Sequence, residues 1–299
     1  MTTLLEAKER RGVTVGVCLP ALDEAATIGA ICRSITADLV APGIVDQLVV
    51  IDSGSSDDTM AVAAEAGATV ARARDLVPQA PNVEGAGKGE SLWKSLSVMA
   101  TDVIVWLDSD TRNFGPHFVT SLVAPLLEDE ELVFTKAFYE RPLGSAEEVL
   151  PVGGARVTEI GVRPLLNLFF ADLIAFVQPL SGEYAGLREV LLDVPFATGY
   201  DVDVLLLLDI VERYGLDAVA QVDLGSRVHR NRDIPSLGRM SFEIMRSLFR
   251  RLEDSGRIKI ADTLPARLIQ FDGSGGTPSA IGFESSTTER PPMRSLLDV

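Results

Sequence analysis

The first 112 residues alternate between short apolar segments and stretches with helical periodicity, and this alternation restricts the fold more than any other feature. The apolar segments span residues 13–21, 46–54, 68–74 and 102–110. Between them, apolar residues recur at the spacing of amphipathic helices. Near-continuous apolar strands joined by helices are typical of a parallel sheet covered on both faces. The sequence therefore predicts an α/β fold.

Polar side chains follow three of the four predicted strands at the point where each strand ends. The three signatures are PALDE at 20–24, DSGSSDD at 52–58 and DSD at 108–110. Ligands of open α/β sheets bind at the carboxyl ends of the strands. We therefore expect the ligand site at this edge of the sheet.

Asp108 and Asp110, two carboxylates one residue apart, admit three interpretations. They can ligate Mg²⁺ or Mn²⁺ through hard oxygen atoms, or they can form a helix-capping turn. The third interpretation is an aspartate-nucleophile phosphatase, whose signature places Thr two residues after the second Asp. Here Thr111 comes one position early, Arg112 takes the expected position, and the motif follows the fourth strand instead of the first.

The net charge of −16 disfavours binding to nucleic acid or to an anionic membrane, because like charges repel. An anionic ligand therefore needs a local group of basic residues, and two segments supply one. Lys88 lies in a glycine-rich loop, residues 85–90, which fits neither the Walker A nor the dinucleotide-binding pattern but precedes a predicted helix. Residues 227–232 carry three arginines and His229, which suit phosphate or carboxylate groups.

Beyond residue 112 the pattern is less regular. It predicts a strand at 131–142 and helices at 202–215 and 234–254, and from about Gly273 the chain is rich in Gly, Ser, Thr and Pro, as in a partly flexible tail. The most apolar run, 165–176, is too short to span a bilayer, and the N-terminus lacks the apolar stretch of a signal peptide. We expect a cytoplasmic protein with no membrane or nucleic-acid partner.

The signatures at the strand ends, together with Gly87-Lys-Gly89, occur in the order found in GT-A-type nucleotide-sugar glycosyltransferases. Four segments in the second half of the chain narrow the resemblance to one family of these enzymes. The segments GGARVTE, QPLSGEYAG, FATGY and VHRNR, which begin at residues 153, 178, 196 and 228, resemble those of the actinobacterial glucosyl-3-phosphoglycerate synthases and of the related mannosyl-3-phosphoglycerate synthases. The resemblance covers about residues 13–255, and the segment ERPPM at 289–293 also resembles the family.

The resemblance implies a GT-A-type fold, with a Rossmann-like, mostly parallel sheet, helices on both faces and an acceptor-binding C-terminal part. Residues 1–112 are expected to bind the nucleotide sugar, residues 113–255 the acceptor, and residues 256–299 to form an extension. The implied activity is retaining transfer of a hexose to the 2-hydroxyl of 3-phosphoglycerate. UDP-glucose is the first choice of donor and GDP-mannose the second. A Mg²⁺ or Mn²⁺ cofactor and a homodimer are also implied.

The resemblance also assigns residues to roles. For the donor, it implies that Pro20, Ala21, Leu22, Glu24 and Ser53 hold the nucleoside, that Lys88 neutralises the diphosphate, and that Asp108, Ser109 and Tyr200 complete the donor site. Asp203 is expected at the donor sugar, and Asp110 and His229 as metal ligands. For the acceptor, it implies Gly154, Arg156, Val157, Thr158 and Asn231, with the main-chain carbonyl of Leu180 beside the acceptor hydroxyl. No side chain is expected to act as a covalent nucleophile.

Three positions depart from the family pattern: Asp23 replaces the usual Asn, Asp201 a Gly, and Asp203 a Glu. The shorter carboxylate at 203 leaves the choice between glucose and mannose open. A lipid-phosphate or polysaccharide glycosyltransferase is an alternative, because the N-terminal half is shared widely. The aspartate-nucleophile phosphatase, which is metal-dependent, is a second and less favoured alternative.

Overall fold

The computed structural model describes residues 2–83, 87–140, 143–145, 148–150, 155–228, 233–272 and 278–297. The main sheet has seven strands in the order β10-β5-β8-β4-β1-β2-β3. The strands are β1 Val15–Ala21, β2 Gln47–Asp52, β3 Thr69–Arg72, β4 Val103–Trp106, β5 Phe134–Glu140, β6 Leu143–Ser145, β7 Glu148–Leu150, β8 Tyr184–Leu187, β9 Phe196–Ala197, β10 Val219–Ser226, β11 Arg267–Asp272, β12 Ser279–Glu284 and β13 Glu289–Arg290. The strands outside the main sheet form three two-stranded pairs: β6 with β7, β9 with β13, and β11 with β12.

The helices follow the predicted alternation in the first half of the chain. They are α1 Thr2–Arg11, α2 Ala25–Ile35, α3 Thr59–Glu65, α4 Lys88–Ser95, α5 His117–Glu128, α6 Arg163–Phe169, α7 Arg188–Leu191, α8 Val202–Tyr214 and α9 Ile234–Asp254. Two π-helical turns extend this set, at Thr36–Val40 and Val157–Val162. Helix α2 continues directly into the first of these turns.

The four N-terminal strands pair in parallel, as the sequence predicts. Strand β8 runs antiparallel to both of its neighbours, β4 and β5, so the sheet is mostly parallel. The predicted strand at 131–142 begins later than expected, at Phe134, and β5 reaches Glu140, the last residue described before the gap at 141–142. These features confirm the predicted GT-A-type fold class.

Successive side chains of each strand point to opposite faces of the sheet, which gives the molecule two hydrophobic cores. Val15, Val17 and Leu19 of β1 pack in the core on the side of α2 and α5. Cys18 packs on the other side, with residues of α4, α8 and α9. Cys18 is therefore a core residue, and burial raises its pKa to about 12.

The C-terminal segment contributes to the second core. Strand β13 pairs with β9, the Trp93 indole donates to the main-chain carbonyl of Pro291 (2.8 Å), and Met293 is fully buried. Part of the predicted extension is thereby attached to the body of the fold. None of the helices in the described part of the chain combines the length and the apolar character that crossing a bilayer requires.

Candidate active site

A cavity of about 540 Å³ opens at the carboxyl ends of β1, β2 and β4. Every predicted site residue that the structure describes contributes to its wall. These residues are Pro20, Ala21, Leu22, Glu24, Ser53, Lys88, Asp108, Ser109, Asp110, Arg156, Val157, Thr158, Leu180, Tyr200 and Asp203. The remaining three, Gly154, His229 and Asn231, lie outside the described residues. Their roles and those of the lining residues stay predictions.

One half of the cavity is built where β1, β2 and β4 end. The Ser109 hydroxyl donates to the main-chain carbonyl of Pro20 (2.8 Å), and the Thr27 hydroxyl donates to that of Ser109 (2.6 Å). The Ser53 amide donates to the carbonyl of Ala21 (2.9 Å). These bonds hold together three segments that are far apart in the sequence.

Asp23 of the first signature and Asp52 of the second mainly shape the backbone. Asp52 is buried, and its carboxylate accepts from the amide of Gly54 (3.0 Å). Asp23 has a φ of +55°, a left-handed conformation that Asp and Asn tolerate better than most residues. Its carboxylate accepts from the Ser56 amide (2.7 Å). The loop after β1 is thus bonded to the loop after β2, and Ser53 lies at the cavity wall.

Lys88 is the first residue of α4 and neutralises two carboxylates at once. Its Nζ lies 2.7 Å from Asp108 Oδ1 and 3.0 Å from Asp203 Oδ1. Burial alone lowers the pKa of this lysine, but the two carboxylates outweigh that effect and raise its pKa well above the usual value. Lys88 is therefore charged throughout the neutral range and carries positive charge to the cavity.

Arg227 links the two aspartates of the third signature. Its Nη2 lies 2.6 Å from Asp110 Oδ1 and 3.0 Å from Asp108 Oδ2, and its Nε lies 2.8 Å from Glu183 Oε1 and donates to the Thr111 hydroxyl. Together with Lys88, it offsets the repulsion between the aspartates. The sequence predicts that residues 227–232 bind phosphate or carboxylate groups of a ligand, whereas the Arg227 guanidinium contacts carboxylates of the chain itself.

Glu183 is a buried acid behind the aspartate pair and belongs to the segment QPLSGEYAG, which begins at residue 178. Burial raises its pKa, while the charge of Arg227 and the Tyr139 hydroxyl, which donates to Oε2 (2.6 Å), oppose this rise. The carboxylates around Arg227 nonetheless raise the pKa of the arginine well above its usual value, against the effect of its own burial. Only the contacts across the sheet identify Glu183.

The chemistry of Asp108 and Asp110 fits a hard divalent cation. Both side chains are 26% exposed and line the cavity, and carboxylate oxygen atoms are the ligands that Mg²⁺ and Mn²⁺ prefer. Within the described ranges, no cluster of three or more His, Cys, Asp or Glu side chains forms a metal site. The predicted third ligand, His229, lies outside those ranges.

The opposite half of the cavity lies between the π-helical turn Val157–Val162 and α9. A Cβ atom on Gly161 would lie 2.6 Å from the Ser241 hydroxyl oxygen, so glycine allows the turn to approach the helix closely. The residues of this half that sequence reasoning missed are Ala155, Asp233, Ser236, Leu237, Met240 and Ile244. The last four recur at helical spacing, so the amphipathic pattern of α9 contained a signal for this face.

Asp203 lies where the two halves meet, in the first turn of α8. Its Oδ1 accepts from Lys88 Nζ (3.0 Å) and from the Tyr184 hydroxyl (3.1 Å). The cavity therefore combines one face rich in main-chain and carboxylate oxygen atoms with a second face that carries Arg156 and the surface of α9. Such an arrangement suits two polar ligands held side by side.

Residues 16–165 match glycosyl transferase family 2. A glucosyl-3-phosphoglycerate synthase of Petrotoga mobilis is 40% identical over 294 residues, which cover 98% of this chain and 90% of that protein. The crystal structure of glucosyl-3-phosphoglycerate synthase from Mycobacterium tuberculosis with Mn²⁺, UDP-glucose and phosphoglyceric acid has a TM-score of 0.84 at 41% identity, covering 98% and 94% of the two chains. That of mannosyl-3-phosphoglycerate synthase from Rubrobacter xylanophilus has a TM-score of 0.90 at 35% identity, covering 98% and 94%.

Proposed function

The chain belongs to the glucosyl-3-phosphoglycerate synthase family, and on that premise we propose that it transfers glucose from UDP-glucose to the 2-hydroxyl of 3-phosphoglycerate. One observation supports this most directly: a single cavity joins Lys88 and the Asp108–Asp110 pair to the segment that begins at Arg156. A diphosphate and a phosphorylated acid both need cationic partners, and this cavity brings Lys88, Arg156 and Arg227 together in an acidic chain.

In the proposed reaction, the acceptor oxygen forms a bond to C1 of glucose on the face from which UDP departs. The bond between C1 and the β-phosphate oxygen breaks, and the acceptor proton passes to that oxygen. Configuration is retained without the carboxylate nucleophile that retaining glycosidases use. The Leu180 carbonyl lies beside the acceptor hydroxyl in this proposal and orients its proton.

The residues of the chain stabilise the charge that develops on UDP. Lys88 carries its charge to the diphosphate, and Asp110, with His229, would hold the Mg²⁺ or Mn²⁺ ion. When bound, that ion supplies further positive charge at the leaving group. Arg156 and Thr158 bind the phosphate and carboxylate of the acceptor, and Asp203 contacts the hydroxyl groups of the hexose.

A mannosyl donor is the second candidate, because the Rubrobacter xylanophilus structure has the higher TM-score although its sequence identity is lower. The phosphatase interpretation loses support: the Asp-x-Asp motif follows β4, and Lys88 and Arg227 both pair with Asp108, which that mechanism would need as a nucleophile. We further propose a cytoplasmic homodimer.

One experiment tests the proposed function. Purified protein with 3-phosphoglycerate and Mg²⁺ is given UDP-glucose, GDP-glucose or GDP-mannose, and NMR reads the anomeric configuration of the product. We expect the fastest turnover with UDP-glucose and a product with the configuration of the donor. Inversion, or no transfer from any of the three donors, would contradict the proposal. Release of phosphate from 3-phosphoglycerate without a donor would favour the phosphatase.

A further inference from the structure

Lys136 is an interior lysine to which the proposed reaction gives no role. It belongs to β5 and its exposed fraction is 1%. Its ammonium donates to the main-chain carbonyl of Asp203 (Nζ to O, 2.7 Å) and lies 4.4 Å from the centre of the Tyr184 ring. Lys136 and Tyr184 face each other across the antiparallel pair β5–β8, so their side chains share one face of the sheet.

Burying this ammonium is unfavourable. Burial lowers the pKa of Lys136 to about 7, and Lys88 adds to the lowering, while the charges of Asp203, Glu183 and Asp108 oppose it. A methionine of similar length would avoid the desolvation of a charge. A charged side chain at this position therefore calls for a local reason.

The contacts of Lys136 converge on one residue of the cavity wall. Asp203 presents its carboxylate to Lys88 and to the Tyr184 hydroxyl, while Lys136 holds its backbone carbonyl and packs against the ring of the same tyrosine. Lys136 itself does not line the cavity. Asp203 is thus held from behind by a group that touches neither of the proposed ligands.

We propose that Lys136 is a positioning residue that sets the orientation of Asp203 toward the hydroxyl groups of the donor hexose. The inference rests on the proposed function, in which Asp203 meets the hexose. The hydrogen bond from Lys136 fixes the main-chain carbonyl of Asp203, and with it the direction in which the Asp203 side chain leaves the backbone. Loss of Lys136 therefore weakens the contacts to the hexose of the donor and leaves the contacts to its nucleotide unchanged.

The test compares a donor with and without the hexose. We expect Lys136→Met to lower kcat with UDP-glucose by about tenfold, the scale of one hydrogen bond from a charged donor. Calorimetry should show weaker binding of UDP-glucose and unchanged binding of UDP. The stoichiometry of the UDP titration also gives the fraction of the protein that is folded and able to bind. Lys136→Arg, which keeps the cation and the donor, should recover part of the loss.

A double-mutant cycle separates positioning from a general loss of stability. If Lys136 acts through Asp203, Lys136→Met should have little further effect in an Asp203→Asn background. Lys94→Met is the matched control, since Lys94 is equally buried and donates to the carbonyl of Ala73. That change should lower stability without separating the affinities for UDP and UDP-glucose.

Three results would overturn the inference while leaving the proposed function intact. The first is a wild-type level of turnover in Lys136→Met. The second is an equal loss of affinity for UDP and UDP-glucose, and the third is an additive effect in the Asp203→Asn background. Absence of turnover in the wild-type protein instead overturns the proposed function, and the assignment of Lys136 with it.

Discussion

At the scale of single residues, Gly182 shows how closely the chain packs around Asp108 and Lys88 in the cavity wall. A methyl group there would lie 2.3 Å from Asp108 Oδ2 and 2.4 Å from Lys88 Nζ. We expect Gly182→Ala to displace both groups and to lower kcat/KM by about 10- to 100-fold, because a small misplacement of binding groups is costly. Steady-state kinetics checks this. Gly115→Ala, which faces only the His117 ring, is the control, and an equal loss there would contradict the explanation.

Asp201 gives a second prediction at this scale, in the pH dependence of stability. Burial raises the pKa of its carboxyl to about 7, against the Ser247 hydroxyl, which donates to Oδ2 (2.6 Å), and with Glu243 adding to the rise. The folded state therefore binds more protons than the unfolded state between about pH 4 and pH 7, and stability falls as pH rises through that window.

We expect Asp201→Asn to remove this dependence, because an amide does not ionise. Relative to the wild type, the free energy of unfolding of the variant should rise by on the order of 1 kcal/mol for each pH unit from pH 5 to pH 7. Urea unfolding at pH 5, 6, 7 and 8 measures the difference. The exposed Asp217→Asn serves as the control, and a difference that does not change with pH would argue against the titration of Asp201.

At the scale of elements, the C-terminal strand β13 fastens α4, the helix that begins with Lys88. Arg290 forms two hydrogen bonds to the Glu90 carboxylate (2.7 and 2.8 Å) and lies over the Trp93 ring. Without Arg290, the buried Glu90 carboxylate keeps an ion pair with Lys94, whose Nζ lies 3.3 Å from Oε1, but loses both hydrogen bonds from the guanidinium. We expect Arg290→Met to lower the free energy of unfolding by about 1–3 kcal/mol.

Denaturant unfolding checks the prediction for Arg290. The double variant Arg290→Met with Glu90→Gln should be more stable than Arg290→Met alone, because it also removes a buried carboxylate that has lost the Arg290 guanidinium. An unchanged free energy of unfolding in Arg290→Met would show that β13 does not stabilise α4.

At the scale of the whole molecule, the cavity draws on both halves of the chain, and its carboxylates are balanced by Lys88 and Arg227. We therefore expect EDTA to abolish turnover while changing the melting temperature little, since the fold does not depend on an ion to offset the aspartates. Added Mg²⁺ or Mn²⁺ should restore activity. Circular dichroism and the transferase assay measure the two effects, and unfolding by EDTA would contradict this account.

The sequence by itself determined the α/β order, the edge of the sheet that carries the site, and the residues that line most of the cavity. These follow from local signals, namely apolar periodicity and polar residues at strand ends, read together with the family resemblance. Only the tertiary structure decided which charges meet. Arg227 reaches Asp110 across 117 positions, and Lys136 reaches Asp203 from another strand. Such contacts depend on the order of β10, β5 and β8 in the sheet, and local patterns do not encode the neighbours of a strand.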